Sequence, residues 1–132
     1  MKVLFDEHLP PTLARAFHAL FAGEHEIIHL RRKFGPRVTD IEWIDALNRE
    51  GRWIIISADR RITRNRAELH AFRKSKLIGF FMAPALYKSK VTKQAERLLA
   101  LWDGIADLAT RMEGGAMFEL PMKSTRIKQL KL

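Results

Sequence analysis

The chain has 132 residues, no cysteine, and 24 Lys and Arg against 15 Asp and Glu, a formal net charge of +9 with a pI near 10.4. That length supports one sizeable core and not two ordinary domains. The lack of cysteine excludes disulfides, thiolate metal sites and cysteine nucleophiles, and fits a cytoplasmic setting. The longest uncharged stretch, LIGFFMAPALY at residues 77–87, falls short of the roughly 20 residues that a membrane span needs. The positive excess favours polyanionic partners, nucleic acid first, although charge also serves solubility alone.

In chain order, KVLF at residues 2–5 reads as a strand that ends abruptly in Asp6, Glu7 and His8. PPTLARAFHALFAG predicts a helix opened by Pro10 and Pro11, with Leu13, Phe17 and Leu20 on one stripe. EIIHL at 26–30 is a second strand, and RRKFGPR after it reads as a basic loop punctuated by Gly35 and Pro36. TDIEWIDALNREG predicts a helix capped by Thr39 or Asp40, striped by Ile41, Ile44 and Leu47, and ended by Gly51. WIIIS at 53–57 is the most continuous β-branched run, suited to a parallel strand buried on both faces, and Asp59 follows it closely.

From Arg60 to Lys76 there are seven bases and one acid, Glu68, with a helix inside RNRAELHAFRKSK whose weak apolar pattern predicts an exposed face. LIGFFMA at 77–83 is a further strand. A long helix follows from about Val91 to Met112, its stripe running through Ala95, Leu98, Trp102, Ile105 and Ala109. A last strand at about 116–120 completes a domain over residues 1–121, and MKSTRIKQLKL at 122–132 is a basic tail without an acid, suited to lying along RNA or to ordering on a partner. The alternation predicts an α/β sandwich: a mostly parallel sheet, covered by helices on both faces and joined by right-handed crossovers.

Open α/β sheets bind ligands beyond the carboxyl ends of their strands, where strand order reverses. With the first and third strands adjacent, Asp6 and Asp59 face each other there, and Asp40 with Glu42 at the start of the second helix closes a third side. Converging carboxylates repel one another unless a cation compensates, and Mg²⁺ or Mn²⁺ suits such oxygen donors. The metal would activate a water and neutralise a leaving oxygen, while Arg31, Arg32 and Lys33 on one loop, and Arg60, Arg61 and Arg64 after the third strand, grip flanking phosphates. Local structure offers competing explanations: Thr39 and Glu42 fit a capping box, Asp40 an N-cap, and Asp59 a turn. Glu7 points away from Asp6 and suits pairing with a base, His8 fits a structural role as well as a ligand, and Trp43, Trp53 and Trp102 lie on core stripes.

Three blocks, VLFDEHLPPTLARAF, TDIEWIDAL and WIIISADRRI, together resemble the signature blocks of the small PIN-like proteins that belong with VapC-type toxins of toxin–antitoxin pairs. The resemblance implies a PIN-like three-layer α/β fold, a metal-dependent endoribonuclease, an antitoxin partner and a homodimer. By block position, Asp6, Asp40, Glu42 and Asp59 match the family's acids, and Glu7 a common acidic neighbour. The chain departs from the pattern at Arg60 and Arg61, which stand where relatives often carry a second acid after the third strand. Two other readings stand beside this one: a non-catalytic RNA- or protein-binding module on the same fold, and a phosphoacceptor receiver domain with Asp59 as acceptor.

Overall fold

The computed structural model describes residues 1–132. Its elements are β1 (Lys2–Phe5), α1 (Pro11–Leu20), β2 (Glu26–His29), α2 (Leu30–Phe34), α3 (Asp40–Glu50), β3 (Trp53–Ser57), a 3₁₀ turn (Arg61–Thr63), α4 (Arg66–Arg73), β4 (Ile78–Met82), α5 (Pro84–Tyr87), α6 (Val91–Arg111), β5 (Met117–Leu120) and β6 (Lys128–Gln129). The strands form one sheet in the order β2-β1-β3-β4-β5-β6. All pairings are parallel except the last, β5 with β6. This is the mostly parallel α/β sandwich expected from the sequence, with strand order reversing between β1 and β3.

The period-2 alternation of strand side chains sorts the core into two layers. Val3, Phe5, Ile54, Ile56, Ile78, Phe80, Met82, Phe118 and Leu120 pack on one side with Leu13 and Phe17 of α1 and with Leu98, Leu101, Trp102 and Ile105 of α6. Leu4, Trp53, Ile55, Phe81 and Met117 face the other way, against Trp43, Ile44 and Leu47 of α3 and Phe72 of α4. Every residue of β3 and β4 is buried, as apolar runs covered on both faces require. The helical stripes begin or end one turn short: Leu20, Ile41 and Val91 are exposed, because each lies at a helix end beyond the reach of the sheet.

Two segments differ from their sequence reading. Leu30, expected to end the second strand, and residues 31–34, expected as part of a loop, form α2, and the His29 ring accepts a hydrogen bond from the Arg31 N–H that caps the turn. Residues 122–132, set apart by charge alone, return to the domain. β6 pairs with β5 through Phe118 with Gln129 and Glu119 with Lys128, and the Arg97 guanidinium donates to the carbonyls of Pro121 and Ser124. Met122, Ile127 and Leu130 pack on the core behind them. No helix is long and apolar enough to cross a membrane.

Candidate active site at the sheet switch point

The β1–β3 register pairs Phe5 with Ile56, which brings the next residues, Asp6 and Ser57, side by side at the carboxyl ends of both strands. The Asp6 N–H donates to the Ile56 carbonyl at 2.9 Å, continuing the ladder by one bond. The Ser57 hydroxyl donates to Asp6 Oδ2 at 2.7 Å, and Ser57 Oγ accepts from the Asp59 N–H at 3.1 Å. One serine therefore ties both strand-end acids together.

Asp6, Asp40 and Asp59 line a single crevice of about 80 Å³ on the α3–α4 side of the sheet, with Glu7, His8, Ser57 and Arg61 at its rim and Ile55, Trp43 and Phe81 beneath. Asp40 opens α3 and accepts from the Trp43 indole N–H at 2.8 Å. Asp59 is gripped twice by Arg61: the backbone N–H donates to Oδ1 at 2.9 Å and the guanidinium Nε–H to Oδ2 at 2.7 Å. His8 Nε2 lies 3.0 Å from Asp59 Oδ2 and 2.9 Å from an Arg61 nitrogen. When protonated it donates to the carboxylate, and when bare it accepts from the guanidinium.

These surroundings drive the acids apart electrostatically. Burial pushes Asp6 above the usual carboxylate range, against the Ser57 hydroxyl, the Glu7 N–H and the charge of His8, and the nearby Asp40 adds to the rise. Burial also pushes Asp59 up, but the Arg61 hydrogen bonds and the charges of His8 and Arg61 outweigh it and hold that carboxyl below the usual range. Burial, and then the charge of Asp40 across the α3–α4 contact, raise Glu68 of α4 above the usual carboxylate range. Neither Glu68 nor Ser57 stands out in the sequence. Ser57 follows from the strand register once Asp6 is suspected, whereas Glu68 reaches Asp40 only through the packing of α3 on α4.

The remaining candidates lie elsewhere. Glu42, expected as a metal ligand, completes the capping box instead: its carboxylate accepts from the Thr39 N–H at 2.9 Å, the Thr39 hydroxyl accepts from the Glu42 N–H, and the side chain stands in solvent outside the crevice. Arg60 pairs with Glu119 of β5 and not with the acids beside it. Lys33, carried by the turn of α2 to the other end of the sheet, pairs with Glu50 at 3.2 Å and lies over the Trp53 ring. Glu7 pairs with Arg31 at 3.0 Å, as its strand position suggests. Arg32 and Arg64 are exposed, and all three tryptophans are core.

No three acids or histidines of the chain converge closely enough to form a ready metal-ligand set. Each of the three crevice carboxylates already accepts from a side chain of the protein: Asp6 from Ser57, Asp40 from Trp43 and Asp59 from Arg61. Chemically, the three carboxylates remain hard oxygen donors of the kind that Mg²⁺ and Mn²⁺ prefer.

Comparison with known proteins places this site in context. The family model described as PIN like domain matches residues 1–84, a segment that holds Asp6, Asp40, Asp59 and Glu68. No curated protein and no solved structure matches the chain.

Proposed function

We propose that this chain, which belongs to the PIN-like domain family, is a metal-dependent endoribonuclease and the VapC-type toxin of a toxin–antitoxin pair. The observation that carries the reading is the meeting of Asp6, Asp40 and Asp59 in one crevice at the strand-order reversal, inside a chain of net charge +9. Asp6, Asp40 and Asp59 would hold Mg²⁺ or Mn²⁺, and the bound ion would supply an activated water and neutralise charge on the leaving oxygen. Ser57 fixes the Asp6 carboxylate, Trp43 fixes Asp40, and both limit the rotamers available at the site.

Arg31, Arg32 and Arg64 are the exposed bases suited to RNA phosphates, with Arg31 exchanging Glu7 for substrate. The action is cytoplasmic, with a small antitoxin protein and a second copy of the chain as partners. Incubation with total RNA and with a tRNA set, in Mg²⁺, Mn²⁺ or EDTA, tests the reading beside Asp6→Asn. Discrete cleavage that needs metal and vanishes in the variant is expected; metal-independent RNA binding without cleavage refutes it. The pairing of Arg61 with Asp59 and the absence of a ready ligand set favour a second reading, a non-catalytic RNA- or protein-binding module, and that outcome would establish it.

A further inference from the structure

Asp6 and Asp40 are held by neutral donors, a hydroxyl and an indole. Asp59 alone is held by a permanent cation. The Arg61 N–H is anchored to Asp59 Oδ1, and its guanidinium then folds back onto Oδ2 of the same carboxylate and continues to His8. Its charge is felt by Asp40 and Asp6 as well as by Glu68. The side chain is otherwise 72% exposed, so these electrostatic contacts alone, with no packing around it, keep it at the crevice. The neighbouring Arg60 has no such role, since Glu119 draws it along the sheet.

We infer that Arg61 is the resident cation of the acidic crevice, placed where a divalent ion entering between Asp6, Asp40 and Asp59 must displace it, and that it thereby sets the metal affinity of the site. This deepens the metal-dependent reading above and rests on it. The physical argument is direct competition: a guanidinium and a divalent ion both seek the Asp59 carboxylate, and their charges repel across the few ångströms of the crevice. Exposed ion pairs of this kind are weak, so a divalent ion can move Arg61 without unfolding anything.

The test is Mn²⁺ titration of the full chain, followed by isothermal calorimetry and by loss of the free Mn²⁺ electron paramagnetic resonance signal. Arg61→Gln is expected to bind Mn²⁺ about tenfold more tightly or better than the wild type, the scale of removing one charge at such a distance. Arg61→Lys, which keeps the charge and loses the planar fork, should fall between the two. Arg66→Gln, which removes a charge at the exposed start of α4, should stay within about twofold of wild type because solvent and salt screen it. Thermal melts check that each variant is folded. Equal or weaker Mn²⁺ binding by Arg61→Gln overturns the role of Arg61 and leaves the metal site standing. Absence of binding in wild type and Arg61→Gln alike overturns both.

Discussion

Ser57→Ala isolates the contact that joins the two strand-end acids. Ser57 is 3% exposed, and alanine offers neither donor nor acceptor in its place. Its donation to Asp6 Oδ2 is a hydrogen bond to a charged group, in the class that contributes roughly 1.5–3 kcal/mol, and its acceptance from the Asp59 N–H is a neutral one of about 1 kcal/mol. The expected destabilisation at neutral pH is therefore about 2–4 kcal/mol, read from urea unfolding followed by circular dichroism.

The pH dependence gives a second readout. Burial raises the folded-state pKa of Asp6 above the ordinary 3.8, so the folded state holds that proton more tightly than the unfolded chain. This group's contribution to stability is full below 3.8 and is lost as pH rises through the folded value. Removing Ser57 takes away a donor that favours the charged form, so the folded value rises further. The loss is then larger at about pH 7.5 than at about pH 4.5, where more of Asp6 is protonated. A change under about 0.5 kcal/mol, or an equal loss at both pH values, refutes the account.

Three further outcomes follow from the same geometry. Glu42→Ala removes half of the capping box and should cost about 1 kcal/mol in urea unfolding while leaving Mn²⁺ affinity within about twofold; a large loss of affinity returns Glu42 to the site. Gly115→Ala forces a side chain onto a φ of +91° and drives its Cβ into the Arg73 carbonyl oxygen, and should destabilise by at least about 3 kcal/mol, visible as a fall in Tm. Truncation after Pro121 removes β6 and uncovers the edge of β5, and light scattering should show concentration-dependent growth into species larger than any the full chain forms.

The parts of the structure legible in the sequence are those governed by local pattern. That Asp6 and Asp59 would line one crevice was readable because each follows an apolar run, and the ends of parallel strands open onto the crevice where strand order reverses. The β-branched run of WIIIS likewise marked the central strand. What escaped depends on contacts across the chain. Glu68 is an ordinary acid in a basic helix until α4 settles on α3 and carries it to Asp40. Lys33 shares a run with Arg31 and Arg32, but the turn of α2 rotates it toward Glu50, away from the acids. Arg60 and Arg61 are indistinguishable in sequence; a 3₁₀ turn sends one to β5 and the other to Asp59.

The two-layer core bears on how the chain is synthesised. All the crevice carboxyls belong to the first 68 residues, and they leave the ribosome early. The opposite face of the same sheet is covered by α1 from the start but only in part until α6 is made, because Leu98, Leu101, Trp102 and Ile105 complete that layer. A nascent chain ending near residue 84 thus carries every acid of the site on a sheet whose other face is only partly covered. The segment that the family model matches therefore holds the crevice and its apolar floor of Trp43, Ile55 and Phe81, while α6, outside that segment, supplies part of the core on the other side of the sheet.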